Sequence, residues 1–238
     1  MWSKILIVLI GAGLLACSSH YYKSYTTERI QVNSTLEKDV EMDSLLAPYS
    51  RELALEMNKV IGEAKTDMQV GRPNSVLGQW VADVLLNFGK DSVLSAEEKA
   101  IPVIALLNTG GIRASFSKGM ITVGDVYKLM PFDNQIVVLK LPVAQLPEIE
   151  SYIRKSGGEP IAGCSIREGK MIISGLEEST DYFWVVTSDF LANGGDKMYF
   201  FQSAVEKRLT TTLMRDVLLR TIQREKILNV QPEERIIF

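Results

Sequence analysis

Two apolar runs that each end in Asn, two glycines and a charged residue restrict the fold of this chain most. PVIALLN (residues 102–108) leads into TGGIR, and YFWVVTSDFL (residues 182–191) leads into ANGGD. The first run is apolar throughout, which indicates a strand buried on both faces. A sheet of such strands needs covering layers on both sides, and each glycine pair marks the point where the chain leaves the sheet.

Helix and strand patterns alternate along the rest of the chain. The helix candidates are residues 42–61, 77–89, 147–157 and 210–226, each with apolar residues at helical spacing or a helix-starting signal. The strand candidates are residues 28–34, 62–70, 135–141 and 234–238, and residues 120–130 hold a short strand followed by a helical turn. The alternation predicts an α/β or α+β domain, with a mixed and mostly buried β-sheet flanked by helices.

Local signals place the ends of several helices. Asn74 or Ser75 can cap the helix after GRPNS, and Gly89 fits its C-terminal end. Pro147 opens the helix over 147–157, and Asp125 is expected to cap the turn within 120–130 rather than bind a metal. The chain has 238 residues, a net charge of −3 and a pI near 5.4, so it lacks the basic character of a nucleic-acid-binding protein.

The N-terminus has the features of an export signal. Lys4 precedes the apolar segment 5–16, which is short for a membrane span, and Cys17 follows. LLAC resembles the bacterial lipobox, which implies a signal peptide over 1–16, a lipid-anchored tether over 17–40 starting at Cys17, and a folded domain over 41–238. The expected location is the bacterial cell envelope, facing the periplasm or the surface, and in a diderm bacterium the absence of Asp after Cys17 favours the outer membrane. An ordinary signal peptide or an uncleaved anchor helix is the alternative.

The second cysteine, Cys164, is left without an intramolecular partner once Cys17 is lipidated. We expect Cys164 to be a small buried hydrophobic residue. A reactive thiol is the alternative, although no His or basic cluster lies near it in the sequence.

The first break, NTGGIR, combines groups that bind anions. Gly110 and Gly111 allow positive φ and a close approach of the main chain to a ligand, and successive N–H groups can form an anion-binding concavity. Arg113 supplies a planar guanidinium that suits phosphate, and Asn108 offers both donors and acceptors. The pattern predicts a phosphate site. A structural turn with a solvated arginine would have the same pattern.

The second break, SDFLANGGD, places an aromatic ring and a carboxylate in one loop. Phe190 lies six residues before Asp196, and Phe132 lies in another loop after Pro131. Two rings from separate loops can hold a flat base between them, and a carboxylate pairs with sugar hydroxyls. Either phenylalanine taken singly is better explained as a core residue.

Four segments in this order resemble the C-terminal domain of the 5′-nucleotidase family. They are RPNSVLGQWVADVLL, NTGGIR, GMITVGDVYKLMPFDNQIVVLKL and TSDFLANGGD, and the likeness extends from about residue 40 to the end. In this family the domain binds the nucleotide. The resemblance implies that Phe132 and Phe190 stack on the base, that Asp196 holds ribose hydroxyls and that Asn108 contacts base or ribose. It also implies phosphate contacts from Arg113 and, less directly aligned, from Arg72. The glycine loops complete the expected substrate-binding set with Gly110, Gly111, Asn193, Gly194 and Gly195.

The catalytic metals of this family belong to a separate metallophosphatase domain, which the resemblance does not cover here. The chain has one histidine, His20, three residues after Cys17, and no D-x-H, G-D-x-x-D or G-N-H-[DE] motif. We therefore expect no catalytic residue, metal or cofactor in this chain and no activity of the chain alone. A partner chain would supply divalent metals, which makes this the nucleotide-binding half of a split envelope 5′-nucleotidase. The alternatives are a non-catalytic nucleotide-scavenging lipoprotein and a scaffold that has lost nucleotide binding.

Overall fold

A computed structural model describes residues 27–33 and 36–238 of the chain, which divides into two compact units, Met1–Leu46 and Ala47–Phe238. The signal peptide, Cys17 and His20 lie outside the described residues. In the first unit, residues 28–33 are exposed and form no strand, so the strand predicted over 28–34 is wrong for the part described. A strand is held by backbone hydrogen bonds to a neighbouring strand, and this segment belongs to none of the sheets in the described part of the chain.

Helix α1 (Val40–Met57) follows, and Asp39 caps its start by accepting hydrogen bonds from the backbone N–H groups of Glu41 and Met42. The predicted helix is confirmed, although it ends earlier than residue 61 because the chain enters a strand at Val60. None of its residues is buried. Across residues 27–33 and 36–238, no helix is both long enough and apolar enough to cross a membrane.

The second unit holds eleven strands and five further helices among the residues described. The strands are β1 (Val60–Ala64), β2 (Val103–Leu106), β3 (Gly119–Thr122), β4 (Gln135–Pro142), β5 (Ile161–Ala162), β6 (Cys164–Arg167), β7 (Lys170–Ile173), β8 (Tyr182–Ser188), β9 (Glu206–Leu213), β10 (Ile227–Leu228) and β11 (Ile236–Ile237). The helices are α2 (Val76–Ser92), α3 (Val123–Leu129), α4 (Leu146–Ser156), α5 (Asp189–Ala192) and α6 (Met214–Glu225).

A five-stranded mixed sheet lies at the centre of this unit, with the strand order β5-β2-β8-β4-β9. Strands β2 and β8 are parallel, whereas β5, β4 and β9 each pair antiparallel with their neighbours. Two three-stranded sheets, β10-β1-β3 and β11-β6-β7, complete the unit. The predicted mixed sheet is confirmed, but the sequence did not predict that the strands divide among three sheets.

Alternate residues of the central strands contribute to two separate hydrophobic clusters, as expected for a sheet covered on both faces. One cluster packs Ala105, Val138 and Val186 against apolar residues of α2 and α6. The other packs Leu106, Val137 and Val185 against α4 and the β11-β6-β7 sheet. All four residues of β2 are buried, which confirms the expectation for PVIALLN.

The predicted N-terminal caps of α2 and α3 are confirmed, whereas several helix boundaries differ from the predictions, as at α6, which begins at Met214 and not at residue 210. Ser75 caps α2 by accepting a hydrogen bond from the Gly78 N–H at 2.9 Å, and Thr122 with Asp125 forms a capping box on α3. Helix α2 does not end at Gly89, however, but continues to Ser92. A Cβ at Gly89 would lie 2.4 Å from the Val186 side chain, so this glycine lets the helix approach the sheet closely.

Candidate functional site

Four loops meet at one edge of the central sheet, and three of them carry predicted ligand-binding residues. Because β2 and β8 are parallel, their carboxyl ends lie at the same edge, and the amino ends of the antiparallel β4 and β5 join them. Asn108 follows β2, and Phe190 follows β8, while Phe132 precedes β4 and Glu159 precedes β5. Loops at strand ends are positioned by the rigid sheet, which makes this edge the candidate binding site.

The NTGGIR segment forms a short 3₁₀ turn over Thr109–Gly111 at this edge. Neither glycine adopts a positive φ, so the conformational reason given for them from the sequence is wrong. Space is the reason at Gly111, where a Cβ would lie 2.7 Å from the Asn108 Oδ1 atom. Arg113 is exposed and donates to the Gly110 carbonyl at 3.2 Å, and within the described residues it forms no ion pair with a carboxylate. Its remaining donors are therefore available to an anionic ligand.

The ANGGD segment holds Asp196 in an unusual backbone conformation. Gly194, Asp196 and Lys197 have φ values of 89°, 51° and 65°, which places two consecutive non-glycine residues in the left-handed region. The Tyr152 hydroxyl donates to the Asp196 carbonyl at 3.0 Å, and Asn108 Nδ2 donates to the Asp196 carboxylate at 2.5 Å. Burial and the charges of Glu159 and Asp196 raise the pKa of Tyr152, which keeps its hydroxyl protonated as a donor.

An aromatic cleft of about 290 Å³ opens between the loops. Its lining residues are Asn108, Gly110, Gly111, Arg113, Phe132, Asn134, Phe190 and Asp196. The residues Phe132 and Phe190 are 50% and 47% exposed, so neither is the core residue that the sequence left as an alternative. A Cβ at Gly195 would lie 2.5 Å from the Phe190 ring, so the ring rests directly on the glycine backbone.

A second, polar cleft of about 630 Å³ shares Gly110, Arg113 and Asp196 with the aromatic cleft. Arg72 lines it and donates from Nη2 to the Glu159 carboxylate at 2.8 Å and from Nε to the Gly158 carbonyl at 2.7 Å. The same carboxylate accepts from the Thr109 N–H at 2.7 Å and the Thr109 hydroxyl at 2.8 Å. Because Glu159 is only 2% exposed, it ties the Arg72 loop firmly to the NTGGIR turn.

The structure brings eight of the predicted site residues together and leaves three outside the clefts. Asn108, Gly110, Gly111, Arg113, Phe132, Phe190 and Asp196 line the aromatic cleft, and Arg72 lines the adjoining polar cleft. Gly194 and Gly195 shape the turn without lining either cleft. The Asn193 side chain accepts a hydrogen bond from Lys207 on β9 at 2.8 Å and lines neither cleft.

Sequence reasoning missed Glu159, Tyr152 and Asn134. Glu159 stands as a charged residue between Gly-Gly and the apolar PIA run, and this position was the available signal that it is buried. Tyr152 belongs to a predicted helix, and no local pattern indicates that its hydroxyl contacts Asp196, 44 positions away in the sequence. Asn134 follows the Phe132 loop directly and could have been found by extending that motif.

Cys164 lies on β6, away from both clefts, and is partly buried rather than fully buried as the sequence predicted. Burial raises the pKa of its thiol to about 12. At pH 8 about one molecule in ten thousand would then hold the reactive thiolate. We expect the native protein to resist alkylation of Cys164 by iodoacetamide at pH 8 and to react readily once unfolded in urea, with mass spectrometry as the measurement. Rapid modification of the native protein would contradict the interpretation of Cys164 as an unreactive thiol.

The described residues contain no cluster of three or more His, Cys, Asp or Glu side chains that could hold a metal ion. The donor set at the aromatic cleft is one carboxylate, Asp196, which already accepts from Asn108. These residues do not suit the pair of divalent metals that the family resemblance implies for catalysis, and such metals would need ligands from elsewhere.

The fold is that of an α/β domain, with two adjoining clefts where the two parallel strands of its central sheet end. Residues 60–149 match the family described as 5′-nucleotidase, C-terminal domain. Over these residues the chain is similar to the C-terminal domain of 5′-nucleotidases.

Individual relatives and solved structures agree with this assignment. Endonuclease YhcR of Bacillus subtilis is 34% identical over 119 residues, covering 49% of this chain and 9% of YhcR. The trifunctional nucleotide phosphoesterase protein YfkN of the same organism is 28% identical over 202 residues, covering 74% of this chain and 13% of YfkN. The crystal structure of a 5′-nucleotidase precursor from Thermus thermophilus superimposes with a TM-score of 0.64 and 26% identity, covering 84% of this chain and 43% of that one. The chain thus spans less than half the length of each of these proteins.

Proposed function

We propose that this chain binds a nucleotide in the aromatic cleft and presents it to a separate metallophosphatase chain, which hydrolyses the phosphate ester. The observation that carries the proposal is the arrangement of Phe132 and Phe190 on one cleft with Asp196 and Arg113. The base would stack between the two exposed rings, each of which offers a π-face to any base. The Asp196 carboxylate would accept from the ribose hydroxyls, and Arg113, with Arg72 in the polar cleft, would meet the phosphate.

The catalytic metals are assigned to the partner because the described residues offer no ligand cluster for them. A noncovalent partner can close on the bound nucleotide as a linked domain would, since a linker only raises the effective concentration. Lipidation of Cys17 would hold the chain at the bacterial envelope, where such a partner would be found. The same lack of metal ligands among the described residues supports a second candidate, a lipoprotein that captures nucleotides without chemistry.

The test is calorimetric titration of the full chain with AMP and with adenosine, with phosphate release followed in the same samples after Mn²⁺ or Zn²⁺ is added. Binding without release would support a nucleotide-binding half. Phosphate release that appears only when a metallophosphatase from the same envelope is mixed in would favour the split enzyme over the scavenging lipoprotein. Absence of binding to both ligands would overturn the proposal.

Replacing Arg113 with alanine is expected to weaken AMP about tenfold while leaving adenosine nearly unchanged, because the guanidinium would contact only the phosphate. The measurement is the dissociation constant of each ligand by calorimetry. Arg220→Ala is the matched control, since Arg220 is an exposed arginine on α6 that lines neither cleft. Equal losses for AMP and adenosine would show that Arg113 does not contact the phosphate.

A further inference from the structure

A buried arginine on helix α6 contacts the loop that carries Phe132 on both sides of that residue. Arg215 is 6% exposed and donates from Nη1 to the Met130 carbonyl at 3.1 Å. Its Nη2 donates to the Asp133 carboxylate at 2.5 Å. The guanidinium carbon lies 4.3 Å from the centre of the Tyr127 ring, within the range of a cation–π contact. The contacts thus reach the residues that bracket Phe132, while Phe132 itself extends into the aromatic cleft.

The far end of the same loop is tied to the segment that carries Phe190. The Asp189 Oδ1 atom accepts from the Gln135 N–H at 3.1 Å and from the Phe190 N–H at 2.8 Å. One carboxylate oxygen therefore links the backbone at the start of β4 to the backbone of Phe190. The loop between Met130 and Gln135 is fixed by Arg215 at one end and by Asp189, beside Phe190, at the other.

Arg215 is not well explained by a contribution to folding stability alone. Its guanidinium is buried, and its Nε atom has no hydrogen-bond partner among the described residues. Buried charges can often be replaced by apolar residues of similar volume without loss of stability. The Asp133 side chain is 76% exposed, so removing the arginine would leave no buried charge unpaired. Stability and positioning can therefore be separated by experiment at this residue.

We propose that Arg215 is a positioning residue for ligand binding, which sets the place of the Phe132 ring relative to Phe190 in the aromatic cleft. It would touch no ligand, since Arg215 lines neither cleft. Arg215 would act by holding the loop that carries Phe132. Replacing it should therefore change the affinity for ligands that carry a base and leave the affinity for ligands without one unchanged. This choice of ligands rests on the proposed function, whereas the rigidity of the loop does not.

The binding test compares Arg215→Met with the unchanged full chain by calorimetry, using adenosine and ribose 5-phosphate as probes. We expect adenosine to bind about tenfold more weakly to the variant, the size of one charge-assisted hydrogen bond, and ribose 5-phosphate to bind equally. In a Phe132→Ala background the same substitution should have no further effect, since the ring it positions is gone. An additive loss in that background would overturn the proposal. Arg220→Met, an exposed arginine on the same helix, is the control.

A second measurement needs no ligand, and so separates this inference from the proposed function. Backbone ¹⁵N relaxation of Phe132, Asp133 and Asn134 should give order parameters of about 0.85 in the unchanged protein and below about 0.6 in Arg215→Met. Unchanged order parameters would overturn the positioning role even if nucleotides bind. Failure of the unchanged protein to bind adenosine, with the loop loosened as expected in the variant, would overturn the proposed ligand alone.

Discussion

Replacing Phe190 with alanine is expected to weaken adenosine binding by about 1–3 kcal/mol, or roughly 5- to 150-fold, because base–aromatic stacking contributes that much for each base. The ring is half-exposed in the free protein and rests on Gly195, so its removal leaves no cavity in the core. The unfolding free energy should therefore change little while affinity falls. Calorimetry with adenosine measures the first effect, and urea unfolding measures the second.

The chain offers a close control for this experiment in its C-terminal residue. Phe238 is 48% exposed, compared with 47% for Phe190, and lines neither cleft. Phe238→Ala should leave adenosine affinity unchanged, since only the position of the lost ring differs. If Phe190→Ala bound adenosine as well as the Phe238 variant does, the ring would have no stacking role.

Replacing Glu159 with alanine is expected to lower the free energy of unfolding by about 3 kcal/mol. The substitution removes three hydrogen bonds from a buried carboxylate, which leaves the Thr109 N–H and hydroxyl unsatisfied and deprives Arg72 of its ion pair. Solvent screening reduces the contribution of the Arg72 ion pair to this loss, because the Arg72 side chain is 42% exposed. The shift in the urea unfolding midpoint, at constant m-value, measures the loss.

Glu148→Ala provides the comparison, since Glu148 lies on α4, is exposed, and its side chain forms no hydrogen bond to another described residue. Surface substitutions of this kind change stability by less than about 0.5 kcal/mol. A loss at Glu159 no larger than the loss at Glu148 would mean that the Arg72 loop and the NTGGIR turn do not depend on this carboxylate. Glu159→Gln should fall between the two, because an amide keeps one acceptor and loses the charge.

Strands β2, β4 and β8 of the central sheet were predictable because they are apolar enough to be recognised without knowledge of their neighbours. Strand β9 was not, since Glu206–Leu213 alternates partly buried with exposed residues at the edge of the sheet, and its threonines run into the helix pattern of α6. Strands β5 and β10 were also missed, because each has only two residues and depends on pairing with a distant segment. Strand β11 has the same length but lies in the apolar end of the strand predicted over 234–238, so it was found.

The cleft residues were predictable for a related reason. Asn108, Phe132, Phe190 and Asp196 each stand close to the end of an apolar strand, so the sheet that buries those strands must bring their ends to the surface. The residues that support them could not be found in this way. Glu159 meets Thr109 across 50 positions of sequence, and Arg215 meets Asp133 across 82. Such contacts depend on the topology, which single-sequence patterns do not specify.

The left-handed backbone of Asp196 limits which residues can occupy that position. Aspartate and asparagine tolerate this conformation better than other residues with side chains, because their short polar groups bond locally. Asp196→Glu would keep the charge but place a longer side chain on a backbone that disfavours it, so its effect would mix geometry with charge. Asp196→Asn keeps the conformation and changes only the charge. Asparagine is thus the substitution at position 196 that disturbs the backbone least. A single base change in the aspartate codon produces it.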